Sequence, residues 1–279
     1  MSAVELPTGE PKLVIGNWKM NGSLALVKSF TEAALDWPGA EAALCVPHPL
    51  LPAAQAAFRC TPLRWGAQDC SAEEEGAFTG EVSARMIREF GARYVIVGHS
   101  ERRTAHGDTD GHVASKAQRA LAAGLTPVVC VGEKAEERDG NQTAMVLRRQ
   151  LLQLVRVLGR DLASIVIAYE PVWAIGAGNS ATPGLIEDTH GVIADTLAFH
   201  AGLVAPAMRI LYGGSVNPRN AGAILERKLV AGVLVGNASL APADFTEICK
   251  AAARCSSTSL ASAPPVVQAR GQSIDYEAL

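Results

Sequence analysis

A carboxylate followed at once by proline ends the apolar run Ile165-Val166-Ile167-Ala168-Tyr169-Glu170-Pro171. The β-branched residues and the breaker after them indicate a buried strand with Glu170 at its C-terminal end. The next stretch, Val172-Trp173-Ala174-Ile175-Gly176-Ala177-Gly178, is too apolar for an ordinary surface loop. It suits a lid that closes over the carboxylate and expels water. Under such a lid desolvation would raise the Glu170 pKa and make it a stronger base on closure. The blander alternative is a strand that ends in a solvated Glu.

Three other side chains complement that base. His99 follows an apolar run and precedes Ser100-Glu101-Arg102-Arg103, a plausible helix start. A helix N-terminus disfavours imidazolium, which leaves a neutral ring to donate a hydrogen bond to a carbonyl. Lys19 offers positive charge to a developing enediolate or a phosphate, and Asn17 a neutral donor. Three glycine-bearing loops, Gly213-Gly214-Ser215, Gly236-Asn237 and Gly176-Ala177-Gly178, lead toward helices. Backbone that approaches closely and unpaired helix N–H groups together suit a phosphate dianion. Singly, each feature has a plainer reading: a structural histidine, a solvated lysine, a turn glycine. Together they point to proton abstraction beside a carbonyl, without metal or cofactor, since no Asp/Glu/His cluster has metal-ligand spacing.

These residues need elements to bring them together. Eight apolar runs recur along the chain: 13–15, 43–46, 63–67, 94–97, 127–131, 165–168, 208–212 and 232–235. Most intervals hold an amphipathic stretch long enough for a crossover helix, such as Ser115–Ala123 or Thr143–Leu158. Buried strands alternating with helices predict an α/β fold, a (β/α)8 TIM barrel of eight parallel strands with outer helices; an open doubly wound sheet fits the strand count less well. Such barrels place chemistry at the C-terminal ends of their strands, where Asn17, Lys19, His99, Glu170, Ser215, Gly236 and Asn237 fall. The barrel is expected over 12–255, after a loose leader at 1–11 and before a Ser/Ala/Pro-rich tail at 256–279 that reads as flexible.

The chain has 279 residues and a net charge of −3 without a basic block, which argues against nucleic acid and anionic membranes as partners. No apolar run reaches membrane-span length, and the N-terminus lacks a secretory signal pattern. The six cysteines show no Cys-x-x-Cys spacing, and two lie in strand-like runs. Reduced thiols in a cytoplasmic protein are the expectation.

The motifs Gly16-Asn17-Trp18-Lys19-Met20-Asn21, Gly76-Ala77-Phe78-Thr79-Gly80-Glu81, Gly98-His99-Ser100-Glu101-Arg102-Arg103, Tyr169 to Gly176 and Tyr212-Gly213-Gly214-Ser215-Val216-Asn217 together resemble the triose-phosphate isomerase family. The resemblance covers about 12–250 in register. It implies interconversion of dihydroxyacetone phosphate and glyceraldehyde 3-phosphate through an enediol, in glycolysis and gluconeogenesis. Glu170 would move the proton, neutral His99 polarise the carbonyl, Lys19 and Asn17 stabilise negative charge, and Glu101 support the site from behind. The phosphate would rest on backbone N–H groups at Gly176, Ser215, Gly236 and Asn237. Tyr212 and Ser215 would latch the lid, and the Phe78-Thr79-Gly80 loop would enter a second subunit of a homodimer.

Some positions depart from the family pattern. Asn237 replaces a second glycine; if that position needs φ > 0, Asn is, with Asp, the side chain that tolerates it best. Asn179-Ser180-Ala181 replaces a hinge that usually begins with Lys, His106-Gly107-Asp108-Thr109-Asp110 replaces a Phe-Gly-Glu-Ser-Asp type segment, and the tail is extra. Isomerisation of a related phosphorylated ketose, such as an erythrulose phosphate, is the alternative function. A non-catalytic barrel is a third reading, which the intact Asn17, Lys19, His99 and Glu170 disfavour.

Overall fold

The structure, a computed structural model, describes residues 11–33, 36–175, 180–201 and 208–261. Most of the leader, the lid tip at 176–179 and residues 262–279 lie outside the described residues. Each expected apolar run is a strand: β1 (Lys12–Asn17), β2 (Ala40–Val46), β3 (Arg64–Ala67), β4 (Tyr94–Val97), β5 (Thr126–Val131), β6 (Val166–Tyr169), β7 (Arg209–Tyr212) and β8 (Gly232–Val235). All neighbours pair in parallel, and β1 also pairs with β8, so the sheet closes in sequence order. Closure leaves no unpaired strand edge.

Parallel neighbours require crossovers, and helices supply them. These are α1 (Leu24–Glu32), α2 (Leu51–Phe58), α3 (Ala84–Glu89), α4 (Ser100–Ala105), α5 (Asp110–Ala122), α6 (Ala135–Asp139), α7 (Thr143–Leu158), α8 (Pro183–Ala201), α9 (Ala221–Leu225) and α10 (Pro242–Ala261). Ser23, Ser83 and Thr109 cap α1, α3 and α5 by accepting from backbone N–H groups in the first turn. The Thr109 cap starts α5 five residues before the stretch that the apolar pattern marks. Along α7, Val146, Leu147, Gln150, Leu151, Leu154 and Leu158 are buried, the one-face spacing of a helix that lies on a sheet.

Side-chain alternation divides the core in two. Leu13, Ile15, Cys45, Ile96, Val128, Cys130, Val166, Ala168, Leu211 and Leu234 belong to one buried cluster. Their strand neighbours, such as Val14, Leu44, Val95, Val129 and Ile167, join the cluster shared with the helices. Continued along the chain, the first parity reaches Asn17 on β1, Gly132 after β5, Glu170 after β6, Gly213 after β7 and Gly236 after β8. The residues at the barrel mouth are therefore the next layer of the same alternation.

The C-terminal boundary differs from the sequence expectation. Instead of ending at 255, α10 continues to Ala261, and Ser256 is buried. Ser256 Oγ accepts from the Lys12 amide at 2.9 Å and donates to the Ala252 carbonyl at 3.1 Å, which ties α10 to the start of β1. Its polar side chain carries no apolar signal, so composition places the tail too early.

Candidate active site

Glu170 sits on rigid backbone. Its N–H donates to Val131 O at 2.8 Å, and Gly213 N donates to Tyr169 O at 2.7 Å, so sheet pairing extends past β6 on both sides. A Cβ at Gly132 would overlap the Glu170 carbonyl oxygen, which makes glycine necessary where β5 passes the base. The carboxylate is buried: Oε1 lies 2.9 Å from His99 Nε2, and Oε2 accepts from the Ser100 amide at 3.0 Å.

His99 is the N-cap of α4, and its Nδ1 accepts from the Glu101 amide at 3.2 Å. A ring nitrogen that accepts carries no proton, so the neutral ring holds its proton on Nε2, facing Glu170. Burial opposes ionisation of the imidazole, but the Glu170 charge and hydrogen bond outweigh it and hold the His99 pKa above its ordinary value. Burial also pushes Glu170 up, yet His99, the Ser100 amide and Lys19 together take its carboxyl below the usual range. In this arrangement Glu170 is thus a stabilised carboxylate, not one raised by desolvation.

Lys19 is one of two described non-glycine residues with positive φ, at 52°, the other being Asn141. Asn17 Oδ1 accepts from the Lys19 amide at 3.0 Å, and Gln68 Nε2 donates to the Lys19 carbonyl at 2.9 Å. Both bonds hold the strained turn. The ammonium lies 2.6 Å from Glu101 Oε1. One cavity at the barrel mouth, about 100 Å³, is lined by Asn17, Lys19, His99 and Glu170. Gly213, Gly214, Ser215, Gly236 and Asn237 line it with them, Gly213 next to Glu170 and Gly236 next to Lys19. Asn237 begins a 3-10 turn, Asn237–Leu240, and does not have positive φ, so the conformational reason expected for Asn there does not apply. Gly176 lies outside the described residues.

Both described flanks of the expected lid are tethered. On the first, Trp173 Nε1 and Tyr169 Oη both donate to Glu133 Oε1, at 2.9 and 3.1 Å, and the Arg138 guanidinium stacks 3.8 Å from the Trp173 ring centroid. On the second, the Ala181 amide donates to Tyr212 Oη at 3.1 Å, with Ser180 Oγ 3.3 Å away. A Cβ at Gly214 would overlap the Tyr212 hydroxyl, so that glycine makes room for it. Sequence reasoning gives Glu133 no part; the available signal was a carboxylate just past the apolar run 127–131, at the C-terminal end of a strand. Among the described residues, no group of His, Cys, Asp and Glu could hold a metal ion, and no helix is long and apolar enough to cross a membrane.

Comparison with known proteins agrees with this geometry. The family model described as triosephosphate isomerase matches residues 12–252. The chain belongs to the triosephosphate isomerase family. It is 51% identical over 246 residues to the triosephosphate isomerase of an Azoarcus species, covering 86% of this chain and 99% of the relative. Over 239 residues it is 49% identical to that of Cupriavidus necator, covering 85% and 98%. The crystal structure of triosephosphate isomerase from Bartonella henselae superposes with a TM-score of 0.78 at 38% identity, covering 87% of this chain and 98% of that one. The triosephosphate isomerase barrel is thus common to chain and relative.

Proposed function

We propose that this chain interconverts dihydroxyacetone phosphate and D-glyceraldehyde 3-phosphate by proton transfer through an enediol. The observation that carries the proposal is the convergence of Glu170, His99 and Lys19 on a cavity that Gly213–Ser215 and Gly236–Asn237 also line. Glu170 takes a proton from one carbon and returns it to its neighbour. His99 donates its Nε2 proton to the carbonyl oxygen, with the tautomer held by the amide on Nδ1. Burial lowers the His99 pKa and Glu170, with a smaller part from Glu101, raises it, so turning the carboxylate to substrate shifts the balance toward the neutral ring.

Lys19 and the Asn17 amide stabilise the enediolate oxygens, and Glu101 holds the ammonium in place. Backbone N–H groups at Ser215, Gly236 and Asn237, with Gly176 from the lid, bind the phosphate, and Tyr212 latches the lid. Moving a proton between adjacent carbons is redox-neutral, so the reaction needs no cofactor. The catalytic domain is the barrel from residue 12 into α10.

We further propose a homodimer. Phe78 stays 46% exposed in a tight loop where its N–H donates to Gly76 O and its carbonyl accepts from Glu81 N, as a side chain presented to a second copy would be. The free thiols, with Cys45, Cys70, Cys130 and Cys249 buried, fit the reducing cytoplasm.

A coupled assay with triose phosphate and erythrulose phosphate in parallel tests the function. Turnover of triose phosphate at least about tenfold more efficient is the expected result. The reverse preference would select the related ketose, and no turnover of either would select a non-catalytic barrel.

A further inference from the structure

Four charged side chains meet outside the cavity that Asn17, Lys19, His99 and Glu170 line. Lys116 of α5 is buried, and its Nζ donates to both oxygens of Asp69 at 3.0 Å and to both oxygens of Asp108 at 3.0 and 2.8 Å. Arg102 of α4 places Nε 2.8 Å from Asp69 Oδ2 and 3.2 Å from Asp108 Oδ2. Two cations balance two carboxylates, and the ammonium has no proton left to give elsewhere.

What the cluster holds is the reacting half of the site. Asp69 follows Gln68, whose amide supports the Lys19 carbonyl. Arg102 follows His99, Ser100 and Glu101, each of which touches Glu170 or Lys19, and its own N–H donates to the His99 carbonyl at 2.8 Å. Six residues are too few for α4 to hold its own geometry, so its position depends on tertiary anchors.

Resting on the isomerase reading above, we propose that Lys116 is a positioning residue: it balances Asp69 and Asp108, keeps Arg102 anchored, and so holds α4 with His99 against Glu170. Without the ammonium, two buried carboxylates would share one guanidinium, and their repulsion would either bind a proton or displace Arg102. The groups that face Lys116 are Asp69 from the loop after β3, Asp108 from the loop between α4 and α5, Arg102 from α4, and the Cys70 thiol on the Lys116 carbonyl. Burial raises both carboxyls; Lys116 and Arg102 outweigh it at Asp108 and fall short at Asp69. Asp69 is therefore the group that takes a proton when the ammonium is removed.

The test compares wild type, Lys116→Met and the charge-balanced Lys116→Met/Asp69→Asn in the triose phosphate assay. At about pH 8, Lys116→Met is expected to lose about tenfold or more in kcat with KM changed less than about threefold. Relative to wild type, that loss should shrink as pH falls toward about 6, because protonation of Asp69 restores the balance. The double variant should return to within about threefold of wild-type kcat and lose the added pH dependence.

Unchanged kcat in Lys116→Met, or a folded double variant that stays as impaired as the single, would overturn the proposal. Should the single variant fail to fold, the double decides alone by the same kcat criterion. Nitrogen-15 shifts of the His99 ring report α4 placement without turnover. They should move in Lys116→Met and return in the double, even if triose phosphate is not the substrate.

Discussion

His99 Nε2 lies 2.9 Å from Glu170 Oε1, so the proposed electrophile and base are each other's partner. In the proposed reaction a substrate has to part them, so the contact that stabilises the carboxylate here is one that productive binding would remove. Stabilisation withdrawn on binding and replaced in the transition state favours turnover over mere affinity.

Glu170→Gln should separate those roles. The amide oxygen can accept from His99 or from the Ser100 amide but not from both, so the melting temperature should fall by a few degrees with the fold retained. The amide cannot take a carbon-bound proton, and kcat should fall by about a thousandfold or more. Near-normal turnover from a preparation free of host enzyme would assign the base elsewhere.

Asn237 adds a side chain beside the glycines of the proposed phosphate site, at a residue without positive φ. Asn237→Gly should therefore change KM for glyceraldehyde 3-phosphate by less than about tenfold, or 1.4 kcal/mol, with kcat changed less. A gain in kcat/KM of about a hundredfold or more would show that the carboxamide obstructs triose phosphate and would favour the larger ketose.

His190 gives stability a pH dependence of known sign. It is fully buried against the Tyr169 ring, with Nδ1 2.9 Å from Leu229 O and Nε2 without a partner. Since a carbonyl only accepts, Nδ1 carries the proton, and burial depresses the His190 pKa from 6.5 to about 4. Between those values the unfolded chain binds a proton that the folded chain refuses, so stability falls as pH drops from 6.5 toward 4. The full effect is about 3 kcal/mol. Denaturant melts of His190→Gln should show a shallower decline over that window, and parallel curves would contradict the assignment.

Two truncations test where the barrel ends. A chain that stops after Ala261 keeps the whole of α10, and its melting temperature should lie within about 2 °C of wild type. A chain that stops after Cys255 loses Ser256 and the cap it places on the Lys12 amide, and should melt about 5 °C lower or more. Equal melting temperatures would mean that the last turns of α10 add nothing.

The sequence by itself determined the barrel and the inventory of its mouth. Runs such as Tyr94–Val97 and Gly232–Val235 are continuous apolar segments because both faces of a parallel strand are buried, and they are strands with those same bounds. Strand alternation and chain order then bring Asn17, Glu170 and Gly236 to one end, since each continues an inward parity that local sequence encodes.

Tertiary structure alone decided which groups touch. No local period links His99 to Glu170, Trp173 to Glu133, or Lys116 to Asp69 and Asp108, because each contact joins separate βα units whose relative placement depends on barrel closure. The direction of the Glu170 pKa followed the same rule: its apolar lid argues for a raised value, and a partner 71 residues away lowers it. Coulomb energy depends on distance in space, and a sequence records only distance along the chain.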